Sequence, residues 1–192
     1  MVGADQAEKA IIVGAEEDGE LEELAGLVHS AGGRVVGMVY WRKAKPDAAY
    51  FLGEGKLWEL KDQLRINEAD LVVFDDELTP VQMRNLQEEL QVKVVDRTGL
   101  ILDIFAQRAR TKEAKLQVER AQLEYLLPRL SGHGEELSRL AGGIGTRGPG
   151  ESKLESDRRR IRRQIGLLNR QLKQVKANRQ LQREARKRLD WP

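Results

Sequence analysis

The chain has no cysteine, which removes disulfides, thiolate nucleophiles and cysteine-ligated zinc at once. A reducing cytoplasm agrees with that composition. Histidine is scarce: His29 falls in a helical stretch and His133 in a loop, with no second histidine at ligand spacing, so neither points to a metal site. Aromatic residues make up 5% of the chain. Its tryptophans, Trp41, Trp58 and Trp191, are scattered; core packing is the expected role of Trp41, with base stacking by Trp41 or Tyr40 as the alternative. No apolar run approaches the roughly 20 residues of a membrane span. The start MVGADQAEKAIIVGA has no positive charge ahead of its short apolar run and does not read as a secretory signal. A soluble cytoplasmic protein with no membrane partner is expected. A nucleotide phosphate-binding loop, GxxxxGK followed by Ser or Thr, is also missing. Gly14 and Gly19 have the glycine spacing, but Glu20 and Leu21 replace the lysine and the hydroxyl, and a carboxylate there repels phosphate.

What is present is charge, and it is segregated. Lys and Arg total 33 against 31 acidic residues, yet residues 152–192 hold 14 basic and 4 acidic residues, leaving 19 and 27 for residues 1–151. The carboxyl-terminal segment is therefore +10 and the remainder −8. A concentrated basic segment implies a polyanionic partner more strongly than the whole-chain +2 does, the alternative being a solvated helix face.

At 192 residues the chain suits one compact domain with an extended element, or two small domains. Residues 9–96 alternate short β-rich runs with helical ones. Strands are expected at Ala10 to Ala15, Arg34 to Trp41, Leu71 to Phe74 and Val92 to Val95, and helices at about 20–30, 54–66 and 79–90, the last with Thr79 as N-cap and Pro80 at the first helical position. That alternation predicts a small parallel sheet with crossover helices. Continuous apolar runs in AIIVGA and LVVF predict strands covered on both faces.

After Asp96-Arg97-Thr98-Gly99 the pattern turns helical. Leu100 to Leu127 reads as one long helix ahead of Pro128, with Leu116, Leu123 and Leu130 every seven residues and Leu127 between. Leu154, Ile161, Ile165, Leu168, Leu172 and Val175 form a matching stripe on a second helix. Two such seams predict an antiparallel hairpin. Arg120 interrupts the first seam; its stem is expected to pack and its guanidinium to reach solvent or an acidic neighbour. Beyond Val175, Arg179, Gln182 and Arg186 occupy seam positions, so the last three turns are expected to separate from the partner helix or fray. The fold class is thus α/β: a small four-stranded, mainly parallel sheet flanked by helices in residues 1–97, then a coiled-coil-like two-helix hairpin in residues 98–192. A glycine-rich tip loop at 131–151 joins the two helices.

That loop is the most specific feature of the chain. Gly142, Gly143, Gly145, Gly148 and Gly150, with Pro149, disfavour a regular helix or strand and place Thr146 and Arg147 at the tip. Glycines let backbone amides approach a phosphate or base, and the planar guanidinium of Arg147 suits phosphate or a guanine edge; a purely structural turn is the alternative. Ser152 to Leu189 then contains no proline and one glycine, Gly166, and predicts a helix of about 55 Å. It opens with Lys153, Arg158, Arg159, Arg160, Arg162 and Arg163. Successive helical residues fan out by 100°, so the arginines surround the helix and leave Ile161 and Ile165 for the seam, a geometry suited to insertion between RNA segments. Pairing with Glu151, Glu155 and Asp157 is the competing use. A second candidate, less favoured, is a ligand edge at the carboxyl ends of the strands, with Gly14, Asp75, Asp76, Asp96 and Arg97. Acidic residues there are also ordinary helix caps. Gly53-Glu54-Gly55-Lys56 reads as a plain helix entry rather than a phosphate site.

GGIGTRGPGES followed by KLESDRR and a long basic helix resembles the signature of the HflX family of ribosome-associated GTPases, GGIG(T/L)RGPGETQLETDRR. YFLGEGKLWEL (50–60), VVFDDELTPVQMRNL (72–86) and VVDRTGLILDIFAQRARTKEAKLQVERAQLEYLLPRL (94–130) precede it in the family's order and spacing. The chain departs from the pattern at Ser152, Lys153 and Ser156, where Thr, Gln and Thr are usual, at Arg120, where an apolar residue is usual, and in 131–140, which lacks a frequent tryptophan. The resemblance implies the amino-terminal region of such a protein, without its G domain. It implies a tip loop placed near the peptidyl-transferase region of the large ribosomal subunit, contacting rRNA, and a role in stress, in splitting or rescuing stalled ribosomes. GTP and Mg²⁺ are implied for the intact family member, and no cofactor, metal or catalytic residue for this chain, which is expected to act as a monomer beside its own G domain. The alternatives are a nucleotide-binding α/β domain with weak NTPase activity and an autoinhibitory spacer for the G domain.

Overall fold

A computed structural model describes residues 7–15, 20–41, 45–130 and 149–188. They form two units, Met1–Gln107 and Arg108–Pro192. The first carries β1 (Lys9–Ala15), α1 (Glu20–Ser30), β2 (Arg34–Trp41), α2 (Glu54–Asn67), β3 (Leu71–Phe74), α3 (Pro80–Leu90), β4 (Lys93–Asp96) and α4 (Arg97–Arg108, ending at the boundary). The second carries α5 (Lys112–Arg129) and α6 (Pro149–Arg188).

The four strands form one sheet in the order β2-β1-β3-β4, every pair parallel. Order follows burial. The strands with unbroken apolar runs are the two inner ones: Ala10 to Ala15 in β1 and all of β3 are buried, whereas the edge strands β2 and β4 alternate with exposed positions. Ala10, Ile12, Leu71 and Val73 pack on one face with Leu21, Leu24 and Val28 of α1 and Leu100 and Ile104 of α4. Ile11, Val13, Val72 and Phe74 alternate onto the opposite face, where α2 lies against β1 and β2, and α3 against β4. Thr79 caps α3 as its sequence predicts. Its hydroxyl accepts from the Gln82 amide at 3.2 Å, the Gln82 side chain accepts from the Thr79 amide at 3.0 Å, and Pro80 occupies the first turn, where its missing N–H costs nothing.

Five sequence expectations need correction. Residues 100–127 are two helices: the chain breaks at 109–111, and Thr111 caps α5 by accepting from the Ala114 amide at 3.1 Å. The boundary between the units consequently falls after Gln107 rather than near residue 97, because Leu100 and Ile104 of α4 belong to the sheet's core. Pro128 lies inside the last turn of α5, near enough to the helix end that few backbone bonds are lost to it. Pro149 and Gly150 begin α6 instead of belonging to the loop, since proline suits a first helical turn. The β4 strand is also shifted one residue, from Val92–Val95 to Lys93–Asp96.

The second unit is held by the predicted seam. Leu116 of α5 packs with Leu168 and Leu172 of α6, flanked by Leu123 and Val175. Ile161 is buried as well. Cross-helix bonds run in antiparallel sense: Glu113 meets Arg179, while Glu119 accepts from Gln164 at 3.0 Å and Arg120 donates to Asn169 at 3.3 Å. Arg120 behaves as its position suggests, with Nε 3.5 Å from Glu124. Leu154, expected on the seam, has its side chain outside the described residues. Past Val175, where fraying or separation is expected, α6 remains helical to Arg188, and the Arg179–Glu113 ion pair takes the place of an apolar contact.

Candidate nucleic-acid interface

Most of the tip loop, with Gly142, Gly143, Gly145, Thr146, Arg147 and Gly148, lies outside the described residues. Gly150 and Lys153 fall within α6. The basic cluster that follows is described, and its geometry sorts the five arginines. Ile161, Leu168 and Leu172 fix the buried side of the helix, so residues a turn or less away on the same side are partly covered and those 100° or more around are not. Arg158, three residues before Ile161, is half-buried and engaged by neighbours. Arg159 is exposed and its Nε donates to Glu155 at 3.2 Å, the stabilising i, i+4 arrangement. Arg160, Arg162 and Arg163 are exposed and form no ion pair among the described residues.

The competition between RNA contact and loop support therefore divides the cluster. Arg159 is engaged within the protein, and three guanidiniums remain open to an outside anion. The same geometry adds residues that composition alone did not single out. Arg170, Lys173 and Lys176 are exposed on α6, again without an ion pair among the described residues. The register of Leu168, Leu172 and Val175 already directs these cations away from the seam. At the end of α5, Arg129 stacks on Tyr125 with its guanidinium carbon 3.5 Å from the ring centroid and donates to the Tyr125 carbonyl at 2.9 Å.

The strand-end edge has a different character. Arg97 donates to Asp75 at 2.7 Å and also to Glu23, so its charge is neutralised by two carboxylates. Glu23 first and then Asp75 hold the guanidinium even more firmly protonated than usual, against the opposing effect of partial burial. Asp96 is fully buried; it accepts from the Gly99 amide at 2.8 Å, capping α4, and from the Leu78 amide at 3.3 Å. A Cβ on Gly14 would sit 2.6 Å from Leu21 and 3.3 Å from Asp75, so close packing explains that glycine. Asp76 also has a partner of its own. At this edge Asp75, Asp96 and Arg97 are bonded within the protein, and no group of metal-ligating side chains exists among the described residues. Lys56, in the Gly53-Glu54-Gly55-Lys56 entry to α2, pairs with Glu59 at 2.8 Å. Trp41 is a core residue, 4.7 Å from Phe51 in an edge-to-face pair, while Tyr40 is exposed. No helix among the described residues is long and apolar enough to cross a membrane.

Residues 18–106 match a family described as the N-terminal region of GTP-binding GTPases, and residues 108–186 match that of their middle region. The division between them coincides with the two structural units. The chain is 52% identical over 183 residues to a GTPase HflX of Caldanaerobacter subterraneus subsp. tengcongensis, a match covering 95% of this chain and 43% of that protein. It is 46% identical over 173 residues to GTPase HflX of Escherichia coli, covering 90% and 41%. It thus spans less than half the length of these relatives. Among solved structures it resembles SsGBP in complex with GDP, with a TM-score of 0.67, 27% identity, and 90% of this chain and 45% of that one covered. A GTP-binding protein of Sulfolobus solfataricus, also with GDP, gives a TM-score of 0.63 at 27% identity, covering 88% and 46%.

Proposed function

The chain belongs to the HflX family of GTPases, as its amino-terminal and middle regions, and from that premise we propose that it is a ribosome-docking module that binds rRNA of the large subunit. The observation that carries this reading is the run of open guanidiniums, Arg160, Arg162 and Arg163, on the helix that leaves the glycine-rich loop. Each neutralises a phosphate and releases counterions, while the loop, with Arg147 and its flanking glycines, approaches bases or backbone near the peptidyl-transferase region. In the intact protein this docking is coupled to a GTP switch, and its consequence is the splitting or rescue of stalled ribosomes in the cytoplasm. The chemistry of that switch, with GTP and Mg²⁺, belongs to the G domain; these residues carry no phosphate-binding loop sequence and do not hydrolyse GTP.

Cosedimentation with purified subunits tests the reading: the chain pellets with large subunits, not with small ones, and less so as salt rises. Absence from the large-subunit pellet at low salt contradicts it. A nucleotide site at the strand-end edge would instead give saturable ATP or GTP binding by calorimetry, and the engagement of Arg97 with Glu23 and Asp75 argues against it.

A further inference from the structure

The first unit is chemically the opposite of the second. Residues 1–107 contain 21 acidic and 11 basic residues, a net −10, which repels a polyanion and attracts a basic partner. On this unit a cleft of about 400 Å³ lies between the 47–54 loop, α2 and α3. Its most unusual member is Trp58, a tryptophan left 62% exposed on the surface of α2. Three carboxylates line the same cleft, those of Asp47, Glu54 and Glu89. The Asp47 carboxyl is held below its ordinary range by the amides of Tyr50 and Ala49, and is ionised under physiological conditions.

A cation already sits here. Lys61 Nζ lies 5.1 Å from the centroid of the Trp58 ring and pairs with Glu89, so an aromatic face and a carboxylate converge on one positive charge. The lysine is a long, flexible side chain from the protein's own helix, and its ammonium is strongly hydrated. A guanidinium is planar and less hydrated; it stacks on an indole while forming two parallel bonds to a carboxylate. The arrangement satisfies a cation, but an arginine satisfies it better than the resident lysine.

We propose that this cleft is a docking site for an arginine-bearing basic segment of a protein partner, whose guanidinium displaces Lys61 from Trp58 and Glu89. The acidic rim draws the segment in, and the indole selects arginine over lysine. Neither Trp58 nor Glu89 lies in the second unit, so this site stands or falls separately from rRNA binding.

The test is calorimetric titration of the 192-residue chain with a short alternating Arg-Gly peptide, its Lys-Gly counterpart and a single-stranded oligoribonucleotide. The arginine peptide should bind saturably and several-fold more tightly than the lysine peptide. Trp58→Ala, at an exposed position that leaves the core intact, should weaken it about three- to tenfold, as expected for loss of a cation–π contact. Glu89→Gln should weaken it too, and Lys61→Met should strengthen it by removing the competitor. Equal binding of the two peptides, or binding untouched by Trp58→Ala, would reduce the cleft to diffuse attraction and overturn the proposal. So would preference for the oligoribonucleotide with loss of that preference in Trp58→Ala.

Discussion

Asp96 is a fully buried carboxylate whose two amide donors, from Gly99 and Leu78, tie the start of α4 to the loop after β3. Removing the acceptor takes this bond from each amide, and losing the partner of a buried donor costs about 1–3 kcal/mol. Asp96→Ala should therefore lower the stability of the first unit by about that amount in urea denaturation, with Asp96→Asn milder because it keeps one acceptor. An unchanged midpoint for Asp96→Ala would show that these bonds are not needed. Asp47 makes a pH-dependent contribution. Tyr50 and Ala49 amides hold its carboxyl below the ordinary value of 3.8, so the charged form is favoured in the folded state. Its stabilisation is complete above the unfolded-state value, about pH 4, and is lost as pH falls through the lower folded value. Asp47→Asn should flatten the acid end of a Tm-against-pH curve and leave neutral pH nearly untouched. Arg97 marks the limit of legibility at this scale. Sequence places it beside Asp75 at the strand edge, but its second partner, Glu23, comes from α1, 74 residues away in the chain. No local pattern announces such a pairing, so an internal ion network reads as a ligand edge.

At the scale of elements, what the sequence states clearly is what burial dictates. Continuous apolar runs give the inner strands β1 and β3, and Thr79-Pro80 gives the start of α3, because these signals need only the residues themselves. The break before α5 is less legible: helical spacing continues across it, and the only local mark is the Thr111 cap. The seam of the second unit was readable from its leucines. Its exception, Arg120, makes a prediction. The side chain remains 40% exposed beside Glu124, so its ion pair is weak, while a leucine there would extend the contact of Leu116 and Leu123 with α6. Arg120→Leu should stabilise the α5–α6 pair by about 0.5–1 kcal/mol, seen as a higher midpoint for loss of helical circular dichroism. A lower midpoint would mean that the Asn169 and Glu124 contacts outweigh the apolar gain.

For the molecule as a whole, the modest +2 net charge conceals two units of opposite sign. The basic unit carries the open arginines and the glycine-rich loop, and that division of charge, on which the proposed function rests, is legible in the sequence before any fold is. Structure sharpened it by separating Arg159, engaged by Glu155, from Arg160, Arg162 and Arg163. That separation can be measured. Binding to purified large ribosomal subunits, followed by cosedimentation across a range of salt concentrations, reads the number of phosphates neutralised from the slope of log affinity against log salt. The triple variant Arg160→Ala, Arg162→Ala, Arg163→Ala should bind more weakly, with a slope shallower by about 2–3, while Arg159→Ala alone should change little. An identical slope and affinity for the triple variant and the parent chain would contradict the assignment of α6 as the rRNA-binding element.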